Sequence, residues 1–356
     1  MSRARILSGL NAPHEVEPLA RAGVDELFCG VYTPGDRSHG GRGLSRREGL
    51  PFNLDGLSEF AAVLAQARAV GVSLFLALNA FYDANAFPSA LRQLDEALAL
   101  GPDGLIVADL GLLRALRARG YAGQVVIGVG GTAFNPDAVR FYAELGATRV
   151  VLPRHLRLDE LAAFTPSPVD LELIVLEDRC QFVDGFCGLH HGLPARGGRE
   201  PFDRRLLARG VFPGLMEGAV AVQRSPMAQR MLGRSANRLR RACSFDYRVS
   251  SLAGPEGRAP DAETAEALRR RLRDHVHQGA CGLCQIGALM GHGIAHFKIA
   301  NRGRSTAAKV AGVRLLRRAL DLGAIAADHD AIRAAYREHM GHACTPGDCY
   351  FPEDQP

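Results

Sequence analysis

Seven of the eight cysteines fall in the second half of the chain: Cys180, Cys187, Cys243, Cys281, Cys284, Cys344 and Cys349. Clustered cysteines in a reducing compartment read first as metal ligands or redox groups, not as a disulfide framework. Cys180 and Cys187 flank a turn at Val183-Asp184-Gly185, and Cys243 ends an arginine-rich run. Cys281 and Cys284 form a Cys-x-x-Cys at the start of a helical pattern, a spacing that serves zinc, an iron–sulfur cluster or thiol redox chemistry. The three segments are expected to converge on one iron–sulfur cluster, with zinc as the alternative metal. Cys344 and Cys349 lie in a segment rich in turn-forming residues and read as extra ligands, a redox pair or surface thiols. Cys29 stands alone in an apolar run, ELFCGV, and reads as a small buried hydrophobe.

Other groups add less. His190 and His191 follow the second cysteine and read as proton donors near the cluster or as a polar loop pair. His292 and His296 are four apart, but Gly293 and a strand pattern separate them from a shared helix face. There is no Gly-x-Ser-x-Gly, no His-Glu-x-x-His and no phosphate-binding loop of the Walker type. Cys187 with His190 is the one local pair that a cysteine nucleophile would use.

These residues need a scaffold, and the first half of the chain supplies one. Short apolar runs near residues 5, 27, 74, 105, 125, 149 and 172 alternate with helical patterns. Continuous apolar strands between helices predict a parallel sheet covered on both faces. An eighth run, HFKIA at 296–300, comes after a long insertion. The expected fold is α/β, a TIM-type (β/α)8 barrel with a large cysteine- and arginine-rich insertion between strands seven and eight; an open doubly wound sheet is the alternative. The expected organisation is residues 1–177 for strands one to seven, 178–292 for the cluster-binding insertion, 293–335 for barrel closure and 336–356 for a tail. Asn11, Asn79, Asp109, Arg154 and Glu177 stand at or just past strand ends, the face on which barrel active sites form.

Charge is modest, +5, and is carried by arginine: of 43 basic residues only Lys298 and Lys309 are lysines. From Arg196 to Arg241 there are eleven arginines and three acids, which reads as a solvated face or as an anion-binding surface for RNA phosphate or a carboxylate. No window is apolar enough to span a bilayer, and the opening residues carry no secretory pattern. The expected location is cytoplasmic, with no membrane partner.

The chain resembles the collagenase-like peptidase family U32 from about residue 5 to residue 305. The front half carries it in AGVDELFCGV, LALNAF, DGLIVADLG and GATRVVLPRHLRLDEL. More specific are LELIVLEDRCQFVDGFCGLHHG, GRSANRLRRACSFDYRV and CGLCQIGALMGHGIAHFKIANRGRS. The resemblance implies a 4Fe–4S cluster on four cysteines, by position Cys180, Cys187, Cys243 and Cys284. Cys284 stands where the family's last cysteine precedes a short apolar helix, with Cys281 as the alternative. It also implies an oxygen-independent hydroxylation, or a related redox reaction, on a small molecule or an RNA base. An electron donor is implied too, and for some members a heterodimer with a related chain. Glu177, Asp109, Asn79, Arg154 and His190 are the expected catalytic candidates. Peptidase activity, or RNA binding through the arginine-rich insertion, are the alternatives. One departure is Lys298-Ile299-Ala300-Asn301-Arg302, where the family has Lys-Ile-Glu-Gly-Arg.

Overall fold

A computed structural model describes residues 3–32, 44–45, 52–177, 184, 280–325, 329–344 and 349–351. Cys180, Cys187, His190, Cys243 and the arginine-rich stretch lie outside the described residues.

Eight parallel strands close into a barrel, as the alternation predicts. They are β1 (Arg5–Gly9), β2 (Glu26–Cys29), β5 (Ser73–Leu78), β6 (Gly104–Val107), β7 (Gln124–Ile127), β8 (Arg149–Val151), β9 (Asp170–Leu176) and β10 (Ile294–Ile299). Neighbours in the ring run β1-β10-β9-β8-β7-β6-β5-β2. Closure is made by β1 on β10, with Arg5 opposite His296 and Ser8 opposite Ile299. A two-strand accessory sheet, β3 (Val31–Tyr32) with β4 (Leu54–Asp55), brackets the first long loop.

The helices between strands are α1 (Val16–Arg21), α2 (Gly56–Ala69), α3 (Phe87–Ala99), α4 (Leu110–Ala118), α5 (Pro136–Glu144) and α6 (Leu158–Ala162). After the insertion come α7 (Ile286–Gly291), α8 (Thr306–Ile325) and α9 (His329–Met340). The sequence pattern predicts one helix over Pro13–Ala22; the chain instead makes a 3-10 turn, Pro13–Glu15, before α1. There the Asn11 backbone N–H donates to the Glu15 carboxylate, 2.8 Å away, and fixes the tight start. Helix α9 has no counterpart in the expected organisation. Its signal is the spacing of Ile332, Ala335 and Tyr336, all buried on one face of a charged segment.

The lower barrel interior is charged. Arg149 on β8 donates to both Glu26 oxygens on β2 (2.6 and 2.8 Å), to Glu172 on β9 (3.0 Å) and to Gln124 on β7 (3.1 Å). Strands β2 and β8 are not neighbours in the ring, so this contact crosses the lumen. Lys298 on β10 donates to the other Glu172 oxygen at 3.1 Å and lies over the Phe28 ring. Arg149 lies over Phe75, whose ring occupies the space that a Cβ on Gly104 would need, 2.2 Å away. Arg149, Glu26, Glu172 and Lys298 are almost wholly shielded from water. Burial works to raise the Glu26 carboxyl, but the adjacent His296 and hydrogen bonds from Arg149 hold it down to about 2. Glu172 is likewise held low, by Lys298 and Arg149 against its burial.

Candidate active site at the barrel mouth and an adjoining thiol-lined cavity

The carboxyl ends of the strands carry a connected set of polar groups. Just past β1, Asn11 accepts from the Gly303 N–H at 3.3 Å and from the Lys309 ammonium. Lys309, on α8 and fully buried, also donates to Glu15 at 2.6 Å. Burial pulls the Lys309 ammonium below the usual lysine range, with the Glu15 charge opposing. Past β10, Asn301 accepts from the Gly9 N–H (2.9 Å) and donates to the Ser8 hydroxyl (2.9 Å), clamping the first and last strands together. Arg302 lies over the Phe28 ring and reaches Ser45 (3.1 Å) and Asn53 (3.5 Å) from the first long loop. That approach needs Gly30, where a Cβ would sit 2.2 Å from the Asn53 side-chain oxygen.

Four of the five expected catalytic residues are described. Asn79 follows β5 and is partly buried. Asp109 caps α4, accepting from the Leu112 N–H at 3.0 Å, and also accepts from the Tyr82 N–H at 3.3 Å. Its geometry is that of a loop organiser. Arg154 grips Asp184 with two side-chain donors (2.6 and 3.1 Å) and its own N–H (2.9 Å). Burial opposes ionisation of Asp184, and Arg154 overcomes it, leaving the carboxyl below its usual range.

Glu177 is the most constrained. It is buried, its backbone is left-handed with φ +63°, and its carboxylate pairs with Arg304 at 3.2 Å. A non-glycine residue in that region carries about 1–3 kcal/mol of strain and persists only where its surroundings hold it. Here the Glu177 N–H donates to the Ala280 carbonyl at 2.7 Å, and the Tyr350 hydroxyl donates to the Glu177 carbonyl.

The same pins bring cysteines to the mouth. Cys281 bridges Leu176 on one side and Cys349 on the other, and Tyr350 N–H donates to the Cys281 carbonyl at 2.9 Å. Cys281, Cys284, Cys344 and Cys349 line one cavity of about 150 Å3, with Arg333 and Arg337 of α9 on its wall. Cys281 and Cys349 are buried, whereas Cys284 and Cys344 are partly exposed. Burial pushes the Cys281 thiol well above its usual range, and the three neighbouring sulfurs push the same way. Burial also raises Cys284, against the Arg333 guanidinium beside it. Cys29 is fully buried in β2, with its thiol pushed up to about 12 by desolvation, as its apolar run predicts. So the structure joins Cys281 and Cys284 to Cys344 and Cys349.

Sequence reasoning missed Glu26, Arg149, Glu172, Glu15, Ser45, Asn53 and Arg304. One signal did exist. The two lysines of an arginine-rich chain are both buried and both paired to glutamates.

Residues 11–200 match the family described as peptidase family U32. Two proteins called tRNA hydroxylation protein P are similar to the chain. The one from Haemophilus influenzae is 27% identical over 124 residues, covering 34% of this chain and 27% of that protein. The one from Escherichia coli is 29% identical over 108 residues, covering 30% and 24%. The chain thus matches about a quarter of the length of these relatives. Among solved structures, a U32 peptidase aligns with 49% of this chain and 70% of its own at 21% identity and a TM-score of 0.40. A putative dihydrodipicolinate synthetase from Pseudomonas aeruginosa aligns with 96% and 82% at 9% identity and a TM-score of 0.44.

Proposed function

The chain belongs to peptidase family U32, and from that premise we propose that it is an iron–sulfur-dependent enzyme that hydroxylates a tRNA base without molecular oxygen. The observation that carries this is the similarity to two tRNA hydroxylation proteins. The mouth adds chemical support. Arg302 and Arg304 stand there among amide and hydroxyl groups, guanidinium donors of the kind that pair with an anionic substrate, above the buried Lys309–Glu15 pair. RNA phosphate is the expected charge partner of the eleven arginines between Arg196 and Arg241.

The donor set fits a thiolate-bound group. Cys284 is partly exposed, lies beside a guanidinium and shares its cavity with another member of the expected set, Cys281. By family resemblance its co-ligands are Cys180, Cys187 and Cys243. A bound cluster would supply single-electron transfer. The chain's own residues do the rest. Glu177, fixed by Arg304 and its strained backbone, presents a carboxylate at the mouth; Arg154 and Asp184 hold the loop that follows β8; Asn79 offers a neutral hydrogen-bonding side chain.

The test is nucleoside mass spectrometry of tRNA from cells lacking the chain, with and without a plasmid copy. A hydroxylated nucleoside that disappears and returns with the plasmid supports the assignment. Unchanged tRNA modification, with peptide cleavage by the purified chain, would replace it with the peptidase reading.

A further inference from the structure

The geometry points to Cys281, Cys284, Cys344 and Cys349 as the ligands of a polynuclear iron–sulfur cluster, in place of a set built from Cys180, Cys187 and Cys243. This rests on the iron–sulfur reading above and assigns its ligands differently. The two pairs are Cys-x-x-Cys and Cys-x4-Cys, sixty residues apart in sequence. A backbone β-bridge between Cys281 and Cys349 and the Tyr350–Cys281 hydrogen bond bring them together. Both buried sulfurs are treated alike by the backbone. The Leu283 N–H donates to Cys281 Sγ at 3.4 Å, and the Phe351 N–H donates to Cys349 Sγ at 3.3 Å. In each case the donor lies two residues beyond the cysteine. Such N–H groups favour thiolate over thiol and tune a metal held by it.

Size decides between one ion and several. A tetrahedral zinc site has Zn–S bonds of about 2.3 Å, which puts the sulfurs ~3.8 Å apart with no void between them. Among the described residues no three potential ligands close to single-ion geometry. Instead the four thiols wall a space of about 150 Å3. A space of that size takes several waters or one multi-atom group, and with four cysteines among its lining residues a cluster is the multi-atom group that matches. Arg333 and Arg337 supply positive charge against the thiolates. The position is also apt. Cys281 is bridged to Leu176, the residue before Glu177, so the cluster lies beside the barrel mouth.

The experiment is anaerobic purification of the full chain with iron, sulfide and zinc counts and the visible absorption spectrum. Cys344→Ser and Cys349→Ser are compared with Cys180→Ser, Cys187→Ser and Cys243→Ser. Circular dichroism and thermal unfolding identify variants that fail to fold. Folded Cys344→Ser and Cys349→Ser proteins should lose iron and visible absorption at least about tenfold, while the other three retain both. Iron kept in the first pair and lost in the other three overturns the ligand assignment and leaves the iron–sulfur reading standing. A single zinc ion with no sulfide overturns the cluster. A wild-type chain holding neither metal removes both.

Discussion

Arg149 shows how much one side chain can hold. It satisfies two carboxylates inside the barrel, and removing it would leave Glu26 and Glu172 buried with less compensation. Arg149→Ala should therefore lower stability to urea by about 3–5 kcal/mol. Glu26 sets an acid limit by the same contacts. Its carboxyl is held at about 2 in the fold, below an ordinary value of 4.5. The depressed value stabilises the folded state above pH 4.5, and that stabilisation is lost as pH falls towards 2. Equilibrium unfolding across this window should show a loss of about 3 kcal/mol that Glu26→Gln removes. None of this was visible in sequence. Glu26 and Arg149 each begin a strand, but nothing in a linear pattern says that β2 and β8 face each other across a lumen. Glu177 was legible because a polar residue ending an apolar strand is conspicuous; its left-handed backbone was not.

Elements were more legible than contacts. All eight barrel strands announce themselves as apolar runs, because a strand covered on both faces needs an apolar side chain at nearly every position. Helix α9 did not, because its buried face is three residues wide in a segment dominated by charge. The cysteine pairing across α7 to α9 was also hidden. The spacing identified ligand types, while the partner of Cys281 depended on where residues 349–351 return. Helix α8 offers a test of how elements are tied. Its Lys309 reaches the turn before α1 through Glu15. Lys309→Met alone should destabilise by about 3–5 kcal/mol, since it strands a buried carboxylate, and Lys309→Met with Glu15→Leu should recover most of that loss. Additive single effects in a thermal-unfolding cycle would show that the pair is not coupled. Gly30→Ala probes the mouth itself. The added methyl collides with Ser45 and Asn53, and a loss of about 1–3 kcal/mol is expected in the same measurement.

At the scale of the molecule, the charge pattern and the barrel divide the work. The barrel presents a small, tightly bonded mouth, and the arginines of the insertion sequence give the chain its surplus positive charge. If tRNA is held by those arginines, its affinity should drop steeply between low and physiological salt. A filter-binding titration that is flat in salt would count against phosphate recognition. Among the described residues no helix is long and apolar enough to cross a membrane.

Barrel closure has a consequence in time. Strand β1 finds its partner β10 only after nearly three hundred residues have been made, and Asn301 locks that seam from the far end of the sequence. Until then β1 and β9 each present an edge with no strand beside it, and such edges recruit other chains. Contacts this distant in sequence also form slowly. A ribosome-bound chain therefore cannot close its barrel until β10 has emerged, and added chaperone should raise the yield of folded chain.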